Sequence, residues 1–384
     1  MLNMPLLLLA IITSIITLDS WIPLTIKSFL YAISLSIKSI IIFLLPLIIF
    51  ALLFKVAVKF ARNATKVIAL IFGSVIISNY ISTFMSQWVG KLVYSFDLSL
   101  VIPKQLQELT PTWELKFPAL IANDKAMFLG LICGIIFSFF STDLAMQVAN
   151  KLEAIVTRIL TYITYLIPFF VAGFVVKMQY DGVMTTIIKD YALIFIIIAI
   201  AQFMYISLIY FIANNNHIKG CMASIKNMLP AAIAGFSTMS SAAAMPLTIL
   251  GTEKNCQNKD LASSIIPATV NIHLIGDCFA IPIFAFAVLK NFGMPEPTFI
   301  GYLVFAFFFV LAKFSVAAIP GGGILVMLPI LRDHLGFSPE MMSLITALYI
   351  LFDPVITCAN VLGNGGFAMI LDKIFTKLRK HIAL

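Results

Sequence analysis

The chain has 384 residues and a formal net charge of +8; 61% of it is hydrophobic and only 11% charged, with a mean hydropathy of +1.05. That balance excludes an ordinary soluble domain, in which about 25% of residues are charged. It describes an all-α polytopic membrane protein whose core forms between helices. The surplus positive charge, judged by its placement below, marks a cytoplasmic face and no nucleic-acid partner.

Taken in order, Pro5 to Leu18 reads as a first short span, ended by Asp19-Ser20-Trp21. No basic residue precedes it, so it is expected to be a span rather than a cleaved signal. Ile22 to Phe54 is a long apolar segment, and Lys55, Lys59, Arg62 and Lys66 follow as a purely basic loop. Val67 to Met85 is a third span, Ser86 to Lys125 a polar connector, and Ala126 to Phe140 a fourth span. Ser141 to Arg158 is amphipathic and expected to lie at the interface. Ile159 to Val176 and Tyr191 to Ala213 are further spans.

The segments after Asn214 to Lys226 change character. Met228 to Leu250 is apolar but interrupted over Ser237 to Pro246 by small, hydroxylic and proline residues. Ser263 to Leu289 is expected to be one span carrying Asn271, His273 and Asp277. Phe305 to Leu311 breaks at Ala317-Ala318-Ile319-Pro320-Gly321-Gly322-Gly323 and resumes as Ile324 to Leu331, too short to cross a bilayer. Met341 to Ile370, bearing Asp353, Thr357, Asn360 and Asn364, is the last span, and a basic tail follows from Asp372.

Irregular backbone survives in hydrocarbon only where it is buried in protein or lines a wet cavity. Two broken segments beside a helix with an intramembrane carboxylate form the pattern of a midplane site in a secondary transporter with inverted repeats. The basic loop after the second segment and the basic tail place both termini in the cytoplasm. Only four of the 25 basic residues are arginine, a bias expected of an AT-rich bacterial genome and so of a bacterial inner membrane. Five cysteines without CxxC spacing are packing residues, and no metal or cofactor is expected. A membrane enzyme finds no support, for there is no GxSxG, HExxH or nucleotide-binding glycine loop. A channel and a non-transporting relative remain as alternatives.

Four motifs then occur in sequence: Ser240-Ser241 running to Met245-Pro246; Ala268-Thr269-Val270-Asn271; Pro320-Gly321-Gly322-Gly323; and Asp353, Thr357, Asn360-Val361, Gly363. In that order they resemble the signatures of the dicarboxylate/amino acid:cation symporters, the glutamate-transporter family. The resemblance implies about eight transmembrane helices plus two re-entrant hairpins. It also implies a homotrimer in which a mobile core slides against a scaffold. Residues 1–217 would form mostly scaffold with part of the transport core, and 218–384 the rest of the transport core.

The resemblance assigns Ser240, Ser241, Pro320, Gly321, Gly323, Asp353, Thr357 and Asn360 to the substrate, with Asp353 on its amino group. The half-helix N-termini would receive a carboxylate. A plain ion pair to Lys313 is the alternative for Asp353, and interhelical hydrogen bonding the alternative for Thr357 and Asn360. Thr269, Asn271, His273, Asp277, Lys313, Asn360 and Asn364 fall at or near the cation sites.

The departures carry the specificity reading. Ile356 stands where the family reads an acidic side chain with arginine, and Ile275 replaces the assisting threonine. A second substrate carboxylate would be left unpaired, so a small neutral amino acid is expected. His273 and Asn364 replace cation-site aspartates, and Lys313 brings an ammonium to a third site. The coupling ion is therefore expected to be H+ rather than Na+, through His273, Lys313 and Asp277, with Asp277 as partner of His273 at i+4. Mutual neutralisation of these charges in a rigid core is the alternative, as is a sodium-coupled dicarboxylate symporter with altered cation sites.

Overall fold

In the computed structural model, residues 4–62, 66–98, 109–118, 120–182, 184–316 and 321–382 are described. Among them there is no strand, and the helices run in a long-helix N-terminal part and a broken-helix C-terminal part.

The N-terminal part contains α1 (Met4–Leu18), α2 (Leu24–Arg62), α3 (Lys66–Tyr94), α4 (Asn123–Phe140), α5 (Thr142–Tyr180) and α6 (Met184–Ala213). A 3-10 turn at Asp19–Trp21 separates α1 from α2, and the Asp19 carboxylate turns back to Lys27 at 2.7 Å. At 1.5 Å per residue the 39 residues of α2 reach about 58 Å, well beyond the hydrocarbon layer. Lys55, Lys59 and Arg62, expected in a loop, therefore ride on its helical extension, and Lys55 pairs with Glu153 of α5.

A second correction concerns α5. The expected interfacial segment and the span after it form one 39-residue helix, bent by 40° between Ile163 and Tyr165. Ser141 caps its start, accepting from Leu144 N at 3.4 Å. The fit of α2 with α4 and α5 depends on small residues. A Cβ at Gly130 or Gly134 would meet the backbone of Phe50 or Phe54, and one at Gly173 would meet Leu30 and Ser34. Close backbone approach through such residues is how helices associate where no hydrophobic drive exists between them.

The C-terminal part contains α7 (Ile218–Thr238), α8 (Ser241–Glu253), α9 (Lys259–Thr269), α10 (Ile275–Asn291), α11 (Phe299–Lys313), α12 (Gly322–Leu335) and α13 (Pro339–Ile382). The first break is tighter than expected. Only Met239, in the left-handed region at φ 51°, and Ser240 separate α7 from α8, and Pro246 sits inside α8. The chain reverses there, since Asn227 of α7 meets Asn255 just past α8 at 2.8 Å. Likewise α11 and α12 fold back on each other, with Phe308 stacked on His334 at 4.2 Å.

The expected span over Ser263 to Leu289 is instead two helices, unwound over Val270 to Leu274. The basic tail is not a loop either; α13 continues through it to Ile382. Helix α10 lies at the centre, every residue but Lys290 buried. Around the outside, large apolar side chains such as Phe139, Phe140, Ile200, Met204 and Ile77 stand exposed. A belt of that kind fits lipid, not water. Among the described residues Ala69–Tyr94, Lys189–Ala213 and Pro339–Lys377 are each long and apolar enough to span a bilayer, and the bent α5 passes the same test as a pair.

Candidate functional site: a chamber between the broken helices

Helix α13 supplies one wall. Tyr349, Asp353, Thr357, Asn360 and Asn364 follow one another at helical spacing, so they share a face, and all are buried. Thr357 donates its hydroxyl to Asp353 Oδ1 at 3.2 Å. The other walls come from the breaks: Met239 and Ser241 from the first hairpin, Asn271 and Leu274 from the unwound stretch, Val316 and Gly323 from the second hairpin, and Asp277 from α10. The space they enclose is about 20 Å³, room for about one water molecule.

Each broken helix leaves backbone N–H groups without intrahelical partners, and side chains supply what is missing. At α8, Ser240 Oγ accepts from Ala243 N at 3.2 Å. At α10, Asn360 Oδ1 accepts from Gly276 N at 2.8 Å. At α12, Gly321 takes the left-handed conformation at φ 71°, and its N–H donates to Asp353 Oδ2 at 2.8 Å. Asp353 thus occupies the anion-seeking end of the second half-helix. Lys313, the alternative partner for Asp353, pairs elsewhere.

That partner is Asp277. Lys313 Nζ lies 3.3 Å from Asp277 Oδ1, with side-chain exposures of 0% and 2%, and 4.5 Å over the Phe309 ring. Asp277 also accepts from Tyr349 OH at 2.8 Å and from Asn360 Nδ2 at 2.7 Å. The expected His273–Asp277 pairing is not formed. The unwound backbone takes His273 off the helical register, and its Nε2 faces Ser78 Oγ at 2.8 Å while its ring stacks on Phe367 at 4.1 Å.

Behind the chamber, Asn364 Nδ2 donates to the carbonyl oxygens of His273 at 3.1 Å and Asn360 at 2.9 Å. Its Oδ1 accepts from Thr269 Oγ1 at 2.9 Å. These contacts fix the amide's orientation, because the flipped form would set oxygen against oxygen.

Of the residues singled out in the sequence, Ser241, Asn271, Asp277, Gly323, Asp353, Thr357 and Asn360 line the chamber. Thr269, His273, Lys313 and Asn364 stand one layer behind, and Ser240 and Gly321 cap helices beside it. Pro320 lies outside the described residues. Ile356 is fully buried and is not among the residues that line the chamber. Ile275 packs beneath Gly363, where a Cβ would come within 2.9 Å of its Cδ1.

Tyr349 and Asn79 are the residues the sequence reading missed. Asn79 braces the unwound stretch, donating to Ile272 O at 2.8 Å and accepting from Leu274 N at 3.4 Å. A signal existed for each. Asn79 is a polar residue inside an apolar span, and Tyr349 lies one turn before Asp353 on the same face.

No curated protein matches the chain. A family model, that of the sodium:dicarboxylate symporter family, matches residues 1–374. The match spans both broken hairpins, the unwound stretch and the polar face of α13, and this chain belongs to the sodium:dicarboxylate symporter family of multi-pass membrane carriers.

Proposed function

We propose that the chain carries a small neutral amino acid across the membrane without sodium, with a proton as the coupling ion. One observation carries the substrate class: the chamber lining holds two carboxylates, Asp277 and Asp353, and no cationic side chain. Lys313, behind the lining, is already paired with Asp277, so among the described residues a second substrate carboxylate finds no free guanidinium or ammonium to receive it. A zwitterion suits the same walls once they move apart, since the closed chamber holds only about one water molecule. Its ammonium takes Asp353, and its carboxylate takes the N–H groups of the half-helices at Ser241 and Gly321 once Asp353 releases the latter.

The ion reading follows from the oxygens already in use. A sodium ion needs several converging oxygen atoms. Here the Asn364 amide occupies two carbonyls, and the Lys313 ammonium sits against Asp277. Protein donors stand where cations would. His273, Lys313 and Asp277 are then the groups through which a proton enters the cycle. We further propose that α7–α8 and α11–α12 are re-entrant hairpins of a transport core made of 218–384 and part of 1–217, moving as an elevator against a trimeric scaffold formed by most of 1–217, in a bacterial inner membrane with both termini in the cytoplasm.

Proteoliposomes test both halves together. A proton gradient, inside alkaline and without sodium, is expected to drive uptake of labelled neutral amino acids and not of glutamate or aspartate. Uptake that strictly requires sodium, or that prefers a dicarboxylate, would overturn the reading.

A further inference from the structure

Asn271 and Val316 have two sides. One faces the chamber; the other faces a second cavity of about 250 Å³, more than ten times as large. Lys55 of α2 and Glu153 of α5 line it, together with Phe72, Phe314, Val316 and other residues of both parts of the chain. The cavity therefore lies between the long N-terminal helices and the broken C-terminal ones. It sits toward the basic end of α2, which the charge bias turns to the cytoplasm.

Lys55 and Glu153 pair with each other, and their side chains keep 23% and 38% of their exposure. An ion pair this open contributes little, so exchanging it for two pairs with a ligand costs little. The lining thus offers an ammonium and a carboxylate side by side, together with aromatic and aliphatic surface. That is the complement of one chemical class.

We propose that this cavity is a second, weaker binding site for a small zwitterionic α-amino acid. Lys55 receives its carboxylate, Glu153 its ammonium, and Phe72, Phe314 and Val316 its short side chain. The ligand class deepens the amino-acid reading of the chamber and rests on it, but the site itself uses none of the chamber's charged residues. A solute crossing the Asn271–Val316 partition would pass through this site next.

The test uses the full chain in detergent, with Asp353→Asn to disable the chamber and Val56→Cys, on the cavity wall, as reporter. Labelling of that thiol by a small methanethiosulfonate is followed by mass spectrometry of its own peptide, which separates it from the five native cysteines. L-alanine is the probe. For a dissociation constant of about 1 mM, ~10 mM L-alanine should slow labelling about tenfold. Isobutyrate and isopropylamine, each carrying one of the two charges, should not. Lys55→Met should abolish the protection, whereas Lys55→Glu combined with Glu153→Lys, which keeps an opposed pair, should retain it.

Labelling unaffected by L-alanine, protection equal with isobutyrate, or protection that persists in Lys55→Met would each overturn the proposal. The amino-acid reading of the chamber fails separately, if Lys55→Met protein with Asp353 intact, which keeps only the chamber, gains no stability from any neutral amino acid. Protection at the reporter site, read in Asp353→Asn protein with Lys55 intact, is unaffected by that outcome.

Discussion

Lys313 and Asp277 form an ion pair of 3.3 Å with both side chains sealed from solvent. They come from different broken elements, the last turn of α11 and the first turn of α10. The pair therefore ties the second hairpin to the helix at the centre of the molecule. Neither residue is near the other in sequence, and each would be an uncompensated buried charge alone.

Removing the ammonium should accordingly be costly. Lys313→Met is expected to lower unfolding stability by ~3–5 kcal/mol, because the Asp277 carboxylate loses its countercharge. The double variant with Asp277→Asn should recover most of that loss. Chemical denaturation in detergent checks both, and equal stability of single and double variants would show that the pair is not coupled.

Asn364→Asp makes the complementary change. The new carboxylate no longer donates to the His273 and Asn360 carbonyls, and three oxygens then converge where the amide stood. The variant should gain a sodium-dependent rise in Tm, growing as RT ln(1 + [Na+]/Kd), where the parent protein shows none against choline chloride. A sodium response already present in the parent would contradict the self-filled site.

Gly323 and Gly363 should respond differently to alanine. A Cβ at Gly323 would overlap the Asp277 carboxylate and the Tyr349 hydroxyl, both held by hydrogen bonds. At Gly363 the nearest atoms are those of the Ile275 side chain, its Cδ1 at 2.9 Å and its Cβ and Cγ1 at 3.3 Å. Gly323→Ala should therefore cost ~1–3 kcal/mol as an overpacked site and weaken amino-acid binding at least about tenfold. Gly363→Ala should have a clearly smaller effect on both, measured by thermal shift and ligand titration.

Tyr349→Phe keeps the ring and removes one donor to Asp277. Hydrogen bonds to charged groups are worth about 1.5–3 kcal/mol, so a loss in that range is expected, with uptake falling because Asp277 lines the chamber. If Tyr349→Phe leaves stability and uptake unchanged, the phenol is only filling space.

Much of this architecture is legible in the residue order, for a physical reason. A bilayer demands long apolar helices, and it punishes unwound backbone and buried charge severely enough that each exception marks itself. Glycine and proline at 320–323, the small hydroxylic run at 237–241 and the acid at 353 stand out on composition alone. So does the helical spacing that puts Asp353, Thr357 and Asn360 on one face.

Partnership was decided only by the tertiary structure. Helical spacing suggested His273 for Asp277, but five unwound residues destroy that register, and Lys313 arrives from another element. Ile356, one residue before Thr357, is fully buried and absent from the chamber lining, whereas Tyr349 is part of it. Sequence periodicity specifies which side of a helix is polar, because that is local geometry. Which polar groups then meet depends on where chains break and how separate helices cross, and those are properties of the packed whole.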